Sequence, residues 1–247
     1  MRAKRSEAGM TLIEVLIAVV LFSMLSVGIL EALRVGINAM ERADDRLMQN
    51  RRAAYAERIL RAELNGFMPE IAVFRPTPQS QVQSMHFFQG EPDTVRLVST
   101  YSLQDASRGV PKILEFHVVP GEANRGVRLM VNEHPYTGPL SAGAFCLGYS
   151  MPDPASPIRV PLFRPVETGP QSFVLADKLA YCRFAFLSAR VPPAPPVWVD
   201  HWAQYQWPMA VRFEMAPLDP DPSKLQPTTV TTTFHVTKDT GLEYLDN

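Results

Sequence analysis

Glu14 stands one helical turn inside an apolar run of membrane length, and it constrains the chain more than any other residue. No charged side chain follows it from Val15 to Leu30. Ahead of it, Met1 to Gly9 is short and basic, with Arg2, Lys4 and Arg5 against Glu7. A carboxylate at the middle of a lipid-embedded helix costs about 2.5–3.5 kcal/mol on insertion scales, so such acids are functional-site candidates by default. At about 1.5 Å per residue, Met10 to Leu30 spans roughly 30 Å, the thickness of a bilayer core. The positive-inside rule keeps the basic leader in the cytoplasm and puts everything after Leu30 on the far side. Arg34 and the charges from Glu41 onward mark the exit.

A secretory signal is cut after its apolar region, at a small-x-small site. Gly28 and Ala32 make no such site, and Gly9 precedes the run. The segment Gly9-Met10-Thr11-Leu12-Ile13-Glu14-Val15-Leu16 resembles the class III signal of type IV pilins and type II secretion pseudopilins. The resemblance implies that a prepilin peptidase cuts between Gly9 and Met10 and methylates the new amino terminus at Met10, where the family usually has Phe. A plain signal anchor with a chance Glu is the other reading of the segment.

Helical character continues past the apolar run. Leu33, Ile37, Met40, Leu47, Ile59 and Leu60 roughly follow three-to-four spacing, and neither Gly nor Pro occurs between Ile37 and Asn65. Asn65-Gly66 with Pro69 supplies a stop. One helix is expected from about Met10 to Leu64: a transmembrane or filament-core part over 10–30 and an amphipathic periplasmic part over 31–66. A kink near Gly36 is the alternative.

After Phe67 the pattern turns to short β-like runs: Thr94–Thr100, Ile113–Val119, Val127–Val131, Tyr181–Leu187, Ala210–Met215 and Thr228–Val236. Proline-rich stretches over 151–165, 191–196 and 217–227 punctuate them, and read as stiff loops. The expected class is α+β, a long amino-terminal helix packed on a β-rich antiparallel periplasmic head over 67–247, pilin-like.

The head is similar to the family of J-type minor pseudopilins. The residues that carry this are Arg61-Ala62-Glu63-Leu64, Phe173-Val174-Leu175, Cys182 to Leu187, Trp198-Val199-Asp200-His201-Trp202, and Trp207-Pro208-Met209-Ala210-Val211-Arg212-Phe213. The proline-rich inserts look longer than the family's. The resemblance implies I-type and K-type minor pseudopilins and a major pseudopilin as partners. It also implies a place in the bacterial inner membrane with a single pass and a periplasmic head. A minor pilin of a type IV pilus is the first alternative; a membrane-tethered periplasmic enzyme or binding module is the second.

On this reading Glu14 sets assembly register. The ammonium group exposed at Met10 of one subunit pairs with the Glu14 carboxylate of its neighbour, in a low dielectric that penalises an unpaired charge. Leu12, Ile13, Leu16, Ile17, Val20 and Leu21 supply helix packing, or face lipid. Gly28, taken as lacking a partner four residues away, adds little.

A formal net charge of −1 gives no general attraction to nucleic acid. His86, His117, His134, His201 and His235 lie in no zinc spacing, so no metal or cofactor is expected and no catalytic group stands out. Glu115 and His117 share a strand face and read as surface or edge residues. Asp200, Asp219 and Asp221 read as solvated loop residues. Trp198, Trp202, Tyr205 and Trp207 form either a partner patch or part of the head core. Cys146 and Cys182 can pair in an oxidising periplasm or stay as buried free thiols.

Overall fold

The computed structural model describes residues 11–103, 107–150, 159–170, 172–190, 193–218 and 227–234, with the side chains at 41–54 and 107–108 outside that description. The chain forms two compact units, Met1–Met48 and Gln49–Asn247.

A single helix, α1, covers Leu12–Asn65, 54 residues. It is unbroken at Gly36. Its apolar part, Leu12–Met40, has mean hydropathy 2.6 over its most apolar window and is long enough to cross a membrane. That part runs ten residues beyond the Leu30 limit expected from the sequence. The hydroxyls of Ser23 and Ser26 donate to the carbonyls of Val19 (2.7 Å) and Phe22 (2.8 Å), so neither presents an unpaired polar group. The helix stops at Gly66, whose N–H reaches back to Ala62 (3.0 Å) and whose carbonyl accepts from Thr100 N–H (2.8 Å).

The strands follow in chain order: β1 Phe67–Met68, β2 Ile71–Phe74, β3 Gln83–His86, β4 Gln89–Gly90, β5 Thr94–Ser102, β6 Ser107–Pro120 and β7 Val127–Pro135. A short helix, α2 Pro139–Gly143, precedes β8 Cys146–Tyr149, β9 Pro161–Phe163, β10 Phe173–Ser188, β11 Val197–Val199, β12 Ala210–Pro217 and β13 Thr228–Thr233. Nine of them form one sheet in the order β1-β5-β6-β7-β10-β12-β13, with β4 on β5 and β11 on β10. Two hairpins, β2-β3 and β8-β9, form small sheets of their own. Every pairing is antiparallel. The architecture is α+β and pilin-like.

Both faces of the central strands are buried, which is why β5 reads as a nearly continuous run of buried residues rather than an alternating one. On one face Leu60 and Leu64 of α1 pack with Val95, Leu97, Leu114, Phe116, Leu129 and Val131, and the same core continues through Phe184, Phe186 and Phe213. On the other face Val98 and Ile113 pack with Ala72, Phe74, Met85, Phe87, Ala142 and Cys146. Gly90 permits the close approach of β4: a side chain there would collide with Phe186 and Trp202. Gly143 likewise lets α2 lie against the backbone of Val73.

Candidate functional site

The amino-terminal site starts from the first turn of α1. Thr11 lies just before the helix, and its carbonyl accepts from Glu14 N–H at 3.1 Å and Val15 N–H at 3.3 Å. Its hydroxyl lies 3.5 Å from Glu14 Oε2, at the limit of a hydrogen bond. Thr11-x-x-Glu14 therefore also has the spacing of a helix-start capping pair, a local role for Glu14 that the cost of a carboxylate in lipid does not reveal. No cation of the described residues pairs with Glu14. Gly9 and Met10 lie outside the described residues.

Leu12, Ile13, Leu16, Ile17, Val20 and Leu21 are all exposed, from 50% for Val20 to 85% for Leu12. Their apolar neighbours are equally exposed, so this unit alone distinguishes no packing face. One shallow groove is lined by Leu12, Val15, Leu16, Val19 and Val20. Farther along, Gly28, Ala32 and Gly36 recur at four-residue intervals, so Gly28 does have a small partner one turn on. Glu31 and Arg34 form an exposed pair at 3.9 Å.

Residues 4–30 match the family model of the prokaryotic N-terminal methylation motif. The chain carries a type IV pilin-like prepilin signal. Such a signal implies processing by a prepilin peptidase and assembly with other pilin-like subunits, which are structural proteins. No curated protein matches the chain.

The pilin-like head holds a second polar cluster, and here the surface reading of Glu115 and His117 is corrected. Glu115 is 3% exposed and His117 is 5% exposed. Antiparallel register aligns Gln89, Arg96, Glu115 and Asn132 across β4, β5, β6 and β7. Arg96, fully buried, donates from Nε to Glu115 Oε1 at 2.7 Å, with Nη2 2.6 Å from the same oxygen. It also donates to Gln89 Oε1 and to the Arg164 carbonyl at 2.9 Å. The Phe145 and Phe163 rings lie 5.3 and 5.5 Å from its guanidinium carbon. The other Glu115 oxygen meets Asn132 Nδ2 at 3.1 Å and His134 Nε2 at 2.9 Å. Burial pushes the Glu115 carboxyl up, but the His134 and Asn132 hydrogen bonds and the Arg96 charge outweigh it and bring it to about 2. Asn132 then holds the Glu167 carbonyl (3.0 Å) and accepts from Ser172 Oγ (2.6 Å). The cluster therefore fastens Arg164, Glu167 and Ser172 to the sheet.

This is a structural fastening. Among the described residues no group of three His, Cys, Asp or Glu side chains is placed to hold a metal ion. Cys146 and Cys182 are both free and buried, in different cores, and burial pushes each thiol up to about 12. The aromatic group divides. Trp202 is buried and donates to the Gln206 carbonyl at 2.8 Å. Trp198 stacks under Arg212 at 4.4 Å, Trp207 meets His86 at 4.3 Å, and Tyr205 is exposed. Asp200 is exposed; Asp219, Asp221 and His235 lie outside the described residues.

Proposed function

We propose that this pilin-like protein is a minor pseudopilin of a type II secretion system, of the J-type. On this reading it is cut between Gly9 and Met10, methylated at Met10, and anchored in the bacterial inner membrane with its head in the periplasm. It assembles with I-type and K-type minor pseudopilins at the tip of a filament built from the major pseudopilin. It acts as a structural subunit of the export machinery, without catalysis or cofactor. The observation that carries the reading is the prepilin-type signal, with Glu14 on the first turn of a 54-residue helix, ahead of a β-rich head.

The physical logic is a register lock. A cation at the new terminus of one subunit and the Glu14 carboxylate of the next attract strongly where water is excluded, and the apolar residues around them pack without choosing a register. The test is co-purification of the full chain, solubilised in detergent, with candidate I-type and K-type subunits, together with the mass of its amino terminus. A methylated Met10 terminus and a stable complex are expected. Processing without complex formation points to a minor type IV pilus pilin. An intact Met1 points to a tethered module that uses α1 only as an anchor.

A further inference from the structure

Glu63 is buried where an anion has nothing to hold it. It lies in the last turns of α1, beside Leu60 and Leu64, and is 0% exposed. Neither carboxyl oxygen has a hydrogen-bond partner. The nearby Ser99 hydroxyl donates instead to the Glu63 main-chain carbonyl, at 2.8 Å. Glu133 of β7 presents a second carboxyl from the sheet, and that one is well held: it accepts from Ser102 Oγ at 3.1 Å and from Leu103 N–H. The remaining charge on these rows is Lys112 of β6, the register partner of Ser99, which has company of its own. β5 contributes only the neutral Ser99 to this place. On α1 itself, Arg61 and Glu57 pair with each other at 2.8 Å on the exposed side. Of the two acids, then, Glu133 has the hydrogen bonds that stabilise an anion, and the Glu63 carboxyl has only the weak influence of the nearby Ser99.

We propose that Glu63 is a proton-operated seat for the end of α1: its carboxyl is neutral while the last turns lie on the head sheet, and ionisation releases them. Burial and the Glu133 charge push the group up from 4.5 to about 9, against a smaller opposing effect of Ser99. The sign follows from linkage. The seated form holds the proton up to about pH 9 and the released form loses it above about 4.5, so release becomes about tenfold easier per pH unit between those limits. The turns concerned are the end of α1, where local opening lies below global unfolding. The inference is independent of which filament the chain joins.

The test is amide hydrogen exchange on the full chain in detergent micelles at pH 7.0 and 8.5, corrected for intrinsic rates. Wild-type peptides covering Leu60 to Gly66 are expected to lose about 30-fold in protection over that interval. Glu63→Gln and the apolar Glu63→Met are expected to lose none, and two variants guard against one failing to fold. Equal loss in the variants overturns the proposal. So does a wild-type loss spread evenly over β10 and β12, which marks global destabilisation. Protection restored at pH 8.5 by added calcium ions, in wild type only, also overturns it, because it makes the Glu63–Glu133 pair a cation site.

Discussion

Replacing Arg96 by Met tests whether the buried cluster fastens the head. The substitution keeps an apolar stem and removes the guanidinium, leaving the Gln89 amide oxygen and the Arg164 carbonyl without their donor and Glu115 Oε1 without the cation it pairs with. Removing one partner of a buried ion pair costs about 3–5 kcal/mol. At roughly 2–4 °C per kcal/mol for a chain of this size, the melting temperature should fall by about 10 °C. Acid adds an independent readout. The Glu115 carboxyl lies at about 2 in the folded protein, against 4.5 as the ordinary value. Its folded value is depressed, so its stabilisation is complete above pH 4.5 and is lost as pH falls through about 2. At about 1.36 kcal/mol per unit, that acid limb amounts to roughly 3 kcal/mol in wild type. In Arg96→Met, burial acts with less opposition and the limb should shrink. The assay is thermal unfolding of the full chain from pH 2.5 to 7, for Arg96→Met, Glu115→Gln and the double variant. The reasoning is refuted if Arg96→Met melts within 2–3 °C of wild type, or if the two substitutions add without coupling.

Glu14→Ala should leave membrane insertion intact, since it removes a polar side chain from an apolar helix, while incorporation into the assembly falls. Fractionation and filament pull-down measure the two separately, and unchanged incorporation counts against the register lock. Denaturing alkylation without reductant should label both Cys146 and Cys182, because the two lie in different cores; a mass with neither thiol labelled would contradict the free-thiol arrangement.

The long helix was legible because its signals are local. An uninterrupted stretch without Gly or Pro and a stop at Asn65-Gly66 set its limits, and the structure has Leu12–Asn65 where about Met10 to Leu64 was expected. The longer strands were legible from β-branched runs: Thr94–Thr100 lies inside β5, Tyr181–Leu187 inside β10 and Ala210–Met215 inside β12. Strands of two to four residues, such as β1, β4 and β8, are too short to show a period. The second core leaves no mark in the sequence because it assembles from those fragments, with Ala72, Met85 and Cys146 far apart along the chain. The burial of Glu115 is hidden in the sequence for a related reason. Arg96, Glu115 and Asn132 look like the polar face of three half-exposed strands, and only the register and the covering carbonyls of Arg164 and Glu167 show that they satisfy one another.

Glu63 and Glu115 show that burial alone does not decide a carboxyl's charge. They lie on opposite faces of one sheet, at 0% and 3% exposure, yet sit at about 9 and about 2. What separates them is the supply of donors: Glu115 has a guanidinium, an amide and an imidazole within 3.1 Å, whereas neither carboxyl oxygen of Glu63 has a hydrogen-bond partner and Ser99 offsets its burial only weakly. The chain thus resolves one buried acid with internal partners and leaves the other to a proton. Glu14 is a third case, on an apolar helix with only the long Thr11 contact to its carboxylate. Among the described residues no cation pairs with it. An ammonium group on a neighbouring helix is the partner that the proposed assembly supplies, and that is why the fate of Glu14→Ala discriminates between a filament subunit and a tethered head.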